Sequence, residues 1–338
     1  MATLNVLVDV QADPAGLERL QSLPGIAVRA IEPKEETRDV PAELLRDVHI
    51  LFCECPPKNF ADLRSLRLIQ LSTAGYERLL KLDLAGKGIR ACNARGVFDV
   101  PIAEWNIAMM VNLARNLRGM IRNQEAGRWD RGAEFQREIR GSLVGLWGYG
   151  GLGRETARVA KALGMRVHAL TRTGVARREQ TYCVPGTGDP EGVLPDRVFV
   201  AGQEAEFLSR LDFLILAMPL TRASRGRIGE AELRALPRTA FLLNPARGPL
   251  IQEPALLRAL REGWIAGAAL DTHYYYPMPP EHPLWRFPNV ILTPHISGSS
   301  QSQHFAGRVW EILVQNVESY VAGGRLLNEL TPAQLNGE

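Results

Sequence analysis

Residues 143–157 read LVGLWGYGGLGRETA, and this stretch decides the fold. A short apolar run predicts a strand, Gly148-x-Gly150-x-x-Gly153 a tight turn, and the residues after it an amphipathic helix. Each glycine has its own reason. Gly148 permits the turn, Gly150 lets backbone approach a pyrophosphate, and Gly153 lets the helix pack close to the sheet. Backbone N–H groups at the helix start then face the phosphates, helped by the helix dipole. Three glycines at this spacing are a weak signal alone. The strand before, the helix after and a further strand (MRVHAL, 165–170) make them a dinucleotide-binding turn. Gly148, Tyr149, Gly150, Gly151, Leu152 and Gly153 are therefore expected to line the cofactor.

The end of that next strand carries a second clue. An NAD-selective turn places Asp or Glu there for the ribose hydroxyls. Here the strand runs into Thr171-Arg172-Thr173, with Arg177 and Arg178 nearby. No carboxylate stands there to repel a 2′-phosphate, and an arginine is available to receive one. The pattern points to NADP or to tolerance of both cofactors; the plainer alternative is that Arg172 covers the adenine.

Outward from this turn, apolar runs of strand length alternate with helical stretches in both directions. LNVLVDV, HILFCE and LRLIQLS precede it; LDFLILAMP, TAFLLNP, IAGAALD and VILTPH follow. Such alternation is the mark of parallel sheets covered on both faces. From Pro101 to about Arg122, apolar residues recur at helical spacing over some twenty positions, which predicts one long helix. The end of the chain, from about Phe305, is helical again. Residues 173–198, rich in Pro, Gly and charge, break the alternation and are either a functional loop or a surface insertion.

Composition narrows the class. At about 150 residues per domain, 338 residues suggest two domains. Hydrophobic residues at 46% and charged residues at 23% exclude disorder and fibrous repeats. Forty Lys and Arg against 37 Asp and Glu leave +3, too small and dispersed for a nucleic-acid or membrane footprint. Cys53, Cys55, Cys92 and Cys183 lack metal-ligand spacing and a disulfide framework, so no metal site is expected. With no signal-peptide pattern and no apolar run of about 18 residues, the expectation is a soluble cytoplasmic protein.

Three later motifs complete an ordered set: Asn244-Pro245-Ala246-Arg247-Gly248, GAALD ending at Asp271, and TPHISG with His295 and Gly298. Together with the glycine turn, Pro219-Leu-Thr221, STAGYE (72–77) and IAEW (102–105), the chain resembles the D-isomer-specific 2-hydroxyacid dehydrogenase family over almost its whole length. The resemblance implies an NAD- or NADP-dependent oxidoreductase moving a hydride between nicotinamide and a small 2-hydroxy or 2-oxo acid. It implies an α/β fold of two doubly wound parallel-sheet domains. A Rossmann domain (103–304) would be inserted into a flavodoxin-like substrate domain (1–102 with 305–338), substrate lying in the cleft between. It also implies a homodimer.

The residue types suit that chemistry. Reduction of a 2-oxo acid needs a proton donor for the developing alkoxide, and histidine titrates near the operating pH. His295 fits. A fixed cation must hold the carboxylate and polarise the carbonyl, and Arg247 fits. By the resemblance, backbone amides around Ala74 and Gly75 also hold the substrate carboxylate, and Asp271 orients the nicotinamide carboxamide. Thr171, Pro219, Thr221, Pro245, Ala246 and Gly298 belong to the expected cofactor wall.

One position departs from the family pattern. Where the family reads Asp-x-Phe-x-x-Glu-Pro, this chain reads Asp271-Thr-His-Tyr-Tyr-Tyr276-Pro277. The Glu that would support a protonated catalytic His is Tyr276, whose phenol carries no charge at neutral pH. His295 is therefore expected to titrate lower than with Glu. Glu281 is a possible substitute and His273 a further polar neighbour. The ordinary reading is a 2-hydroxyacid reductase in which Tyr276 suffices. The alternatives are a dehydrogenase of an unusual anionic alcohol, such as a hydroxyalkylphosphonate, and a nucleotide-sensing protein without turnover.

Overall fold

A parallel sheet covered on both faces needs strands that are apolar at every position, and the chain supplies such strands for two sheets. The computed structural model describes residues 3–34, 36–133 and 136–336. It divides into two units, each α/β with a parallel sheet.

The first unit comprises Met1–Phe98, Glu179–Val184 and Ser300–Glu338. Its strands are β1 (Leu4–Asp9), β2 (Ile26–Ala30), β3 (Ile50–Cys53), β4 (Leu68–Leu71) and β5 (Arg90–Cys92). They pair in parallel in the order β2-β1-β3-β4-β5, the doubly wound order of flavodoxin-like sheets. β3 and β4 are buried at every residue. The helix Gln303–Val321 covers one face with the fully buried Trp310, whose ring meets Phe52 edge-on at 5.5 Å. Its indole N–H donates to the Gln11 carbonyl at 2.9 Å, so the polar edge is satisfied. Truncating an aromatic so placed ordinarily costs about 3–5 kcal/mol.

The second unit comprises Asp99–Arg178 and Pro185–Ser299. Its strands are β6 (Leu143–Trp147), β7 (Arg166–Thr171), β8 (Arg197–Val200), β9 (Phe213–Leu216), β10 (Phe241–Asn244), β11 (Gly267–Leu270) and β12 (Val290–Leu292). The parallel order is β12-β11-β10-β9-β6-β7-β8. The winding reverses at β6, between β7 and β9, and ligands of such sheets lie outside the carboxyl ends of the strands at that reversal.

Two features differ from the sequence expectation, and a third, the 173–198 segment, is a loop up to β8 as that reading allowed. The long helix is two: Asp99–Arg115, then Leu117–Glu125. Asn116 between them is left-handed (φ 49°), and its side chain accepts from the Gly119 N–H, so it ends one helix and caps the next. The short β5 and the edge strand β8 carry too little apolar pattern to be read from sequence. Residues 173–196 hold neither helix nor strand, yet they are stitched down. Within the second unit, the Asp189 carboxylate accepts from the Gly192, Val193 and Leu194 N–H groups and the Tyr149 hydroxyl. The buried Arg154 guanidinium donates to the carbonyls of Ala176, Asp189 and Pro190. Within the first unit, the Tyr182 hydroxyl donates to Glu311 at 2.9 Å and its N–H to Asn328 at 3.2 Å.

Candidate active site

The carboxyl edge of the second sheet gathers the expected residues, because every strand there runs the same way. β6 delivers the glycine turn, β7 Thr171, β9 Pro219 and Thr221, β10 Arg247, β11 Asp271 and β12 His295. At the turn, Gly148 takes φ 107°, which L side chains avoid. A Cβ on it would meet the Ala217 backbone at 2.5–2.6 Å. Gly150 is the extended cap of the helix Gly151–Ala162, and a Cβ on it would stand in open space. The Gly151, Leu152 and Gly153 N–H groups in the helix's first turn have no intrahelical partner. Open space beside unpaired amides fits a dinucleotide's pyrophosphate. Tyr149, expected to line the cofactor, turns its side chain inward, buried and bonded to Asp189 at 2.7 Å. Only its backbone belongs to the turn.

After β7, the Thr171 side chain closes a small turn by hydrogen-bonding the Gly174 N–H and carbonyl. Arg172 and Thr173 are exposed, and among the described residues Arg172 makes no ion pair. No acid occupies Thr171–Gly174. After β9, Thr221 and Ser224 exchange side-chain-to-backbone bonds (2.7 and 3.2 Å) and fix the turn after Pro219.

Arg247 is placed by a buried asparagine. Asn244 accepts from the Ala246 and Arg247 N–H groups (3.1 and 3.2 Å) and donates to the Arg247 carbonyl at 2.8 Å. Pro245 sits inside that turn. Next to it, a side chain on Gly248 would collide with the His273 carbonyl, so glycine lets the two loops touch. In the sequence Asn244 opens the motif without a role of its own; its place just before a turn-forming Pro is the signal for one.

Asp271 is fully buried. Its carboxylate accepts from the Thr293 hydroxyl at 2.6 Å, the Ile296 and Ser297 N–H groups at 2.9 and 3.0 Å, and the Ser297 hydroxyl. Its carbonyl accepts from the His295 N–H at 2.8 Å. Asp271 therefore holds the His295 loop in shape, including the left-handed backbone of His295 (φ 59°). The resemblance implies a nicotinamide partner here; the observed four bonds of the carboxylate all go to the loop that carries His295.

The His295 ring lies at an exposed loop with the Tyr276 ring 5.6 Å away, centre to centre. Burial, with Arg247 second and His273 adding to it, holds the imidazole below its ordinary value of 6.5, against the pull of Asp271. Tyr276 is 59% exposed, and its hydroxyl accepts from the His273 N–H at 3.2 Å. Partial desolvation of its hydroxyl raises the phenol above the ordinary value, so it is neutral beside His295. His273 is buried; its Nε2 faces the Thr293 carbonyl at 2.8 Å and its Nδ1 has no partner among the described residues. Glu281 is exposed and makes no bond to His295.

In the first unit, Ala74 and Gly75 follow β4 at the carboxyl edge of their own sheet. Asn93 holds the Ala74 carbonyl at 2.7 Å and Thr73 the Gly75 carbonyl at 2.9 Å. Both carbonyls are thereby fixed, and neither the Ala74 nor the Gly75 N–H has an acceptor among the described residues.

Residues 107–297 match the family model of the D-isomer specific 2-hydroxyacid dehydrogenase NAD binding domain. The chain is 28% identical to a glyoxylate reductase of Thermofilum pendens, over 100% of this chain and 96% of that protein. It is 31% identical to a putative 2-hydroxyacid dehydrogenase of Haemophilus influenzae, over 77% of this chain and 79% of that one. Among solved structures it resembles a D-isomer specific 2-hydroxyacid dehydrogenase from Xanthobacter autotrophicus, in complex with NADPH and MES. That likeness has a TM-score of 0.76 at 25% identity, over 98% of this chain and 99% of that one.

Proposed function

The chain belongs to the D-isomer-specific 2-hydroxyacid dehydrogenases, and from that premise we propose that it reduces glyoxylate or a similarly small 2-oxo acid, with His295 as proton donor. It is an NAD(P)-dependent oxidoreductase of small 2-hydroxy and 2-oxo acids. The observation that carries the proposal is the shared edge: glycine turn, Arg247 and His295 all leave the carboxyl ends of one parallel sheet.

The nicotinamide supplies or takes the hydride when bound. Protonated His295 gives its proton to the oxygen on which charge develops. Arg247 holds the substrate carboxylate and polarises its carbonyl, as a fixed fork does without reorganising. Asp271 and Tyr276 position the imidazole.

Arg172 favours NADP: it is exposed, makes no ion pair among the described residues, and stands in a Thr171–Gly174 turn that holds no carboxylate to repel a 2′-phosphate. Assays of glyoxylate and larger 2-oxo acids with NADH and with NADPH test both points. The expected result is turnover of glyoxylate, faster with NADPH. Strict NADH preference overturns the Arg172 argument, and cofactor binding without turnover on any acid favours a sensor. Similarity to a glyoxylate reductase along the whole chain favours neither the phosphonate nor the sensor alternative.

The second unit also exposes Val111, Leu117, Met120, Ile121 and, at 90% exposure, Trp129. Apolar side chains grouped on the Asp99–Arg115 and Leu117–Glu125 helices and just beyond them suit a homodimer contact. Among the described residues no helix is long and apolar enough to cross a membrane, and the four cysteines form no disulfide with one another. A cytoplasmic location accords with both.

A further inference from the structure

Gly151 opens the helix at the phosphate turn, and the space its side chain would need is already taken. A Cβ built there would collide with the Asp99 carboxylate and the Arg178 guanidinium. Asp99 is the first residue of the helix Asp99–Arg115 and is buried. Arg178 ends the stretch after β7, its N–H bonded to the Pro190 carbonyl at 2.9 Å. The two side chains pair at 3.3 Å, only 14% and 12% exposed.

A carboxylate near a helix start is ordinarily favourable. This helix start, however, is where a dinucleotide must bring two negative phosphates, and Asp99 alone would repel them. Arg178 cancels that charge and keeps further donors. One of them, Nη2, is buried without a hydrogen-bond partner among the described residues. A buried donor left so is costly unless a ligand accepts it. A guanidinium is the group best shaped to serve a carboxylate and a phosphate together.

We propose that Arg178 is a ligand of the cofactor's pyrophosphate, entering the cradle through the place that glycine at 151 leaves open. Asp99 is its positioning residue. The guanidinium comes from the 172–178 stretch, so this stretch takes part in binding rather than merely covering the helix. The proposal rests on the dinucleotide reading of the turn.

The test is the affinity for ADP-ribose, which keeps the pyrophosphate and lacks the nicotinamide, measured by calorimetry on the whole protein. R178Q is expected to weaken binding about tenfold or more. D99N keeps the arginine, retains an acceptor for it and removes the repelling charge, so it is expected to tighten binding severalfold. A mere structural brace would instead weaken both variants alike. R178Q binding as tightly as wild type, or D99N weakening with it, overturns the proposal. D99N decides even where R178Q folds poorly. Failure of the wild-type protein to bind ADP-ribose would overturn the dinucleotide reading as well, whereas a failure confined to the variants leaves that reading standing.

Discussion

At the scale of single residues, the unusual chemistry lies in what faces His295. Burial and Arg247 both disfavour the imidazolium, and Tyr276 offers a neutral ring where a carboxylate would favour it. The donating form is the protonated one. Reduction should therefore fall as pH rises through a value below 6.5, earlier than an unperturbed histidine would allow. Tyr276→Glu places a negative charge beside the ring and should move that falling limb to higher pH. The pH profile of kcat/KM checks this, and an unmoved limb would show that Tyr276 does not govern the titration. Arg247 owes its place to Asn244, and His295 to Asp271. Each functional side chain thus rests on a buried neighbour that already spends its hydrogen bonds on the turn.

At the scale of elements, the strand-turn-helix unit separates two demands made on glycine. Gly148 has a left-handed backbone pressed against Ala217, whereas Gly150 has an extended backbone facing open space. Gly148→Ala should cost about 2 kcal/mol or more in denaturant unfolding, from strain and collision. Gly150→Val should leave stability within about 0.5 kcal/mol, yet weaken cofactor binding at least about tenfold by filling the cradle. Equal destabilisation by both substitutions would mean that Gly150 serves the fold rather than the ligand. The glycine triad was legible in sequence because strand, turn and helix are contiguous. The broken helix at Asn116 was not. Apolar spacing runs through the break, and only the left-handed turn with its own cap reveals it.

At the scale of the whole molecule, the exposed apolar side chains bear on how many chains make the functional unit. Trp129 is almost fully exposed, a poor situation for indole in water. Trp129→Arg is expected to leave the fold intact and to change the light-scattering mass in solution from two chains to one. A wild-type protein that already ran as one chain would overturn the dimer reading. The near-neutral charge of +3 is a further whole-molecule property, and it suits a protein whose partners are small acids and a cofactor.

By itself, the sequence determined two parallel-sheet units and the dinucleotide turn, and it singled out His295 and Arg247 as the candidate pair, because each rests on a local pattern. Apolar runs both faces of which are buried, glycines at fixed spacing and short motifs before proline are all readable along the chain. Only the tertiary structure decided what meets what. It turned Tyr149 away from the turn to Asp189, bound Asp271 to the His295 loop, and brought Asp99 and Arg178 to the start of one helix. Those pairs lie 25 to 79 positions apart, Asp271 to Ile296 at 25, Tyr149 to Asp189 at 40 and Asp99 to Arg178 at 79. No periodicity links residues so separated; they meet because parallel strands deliver their carboxyl ends to the same edge of a sheet.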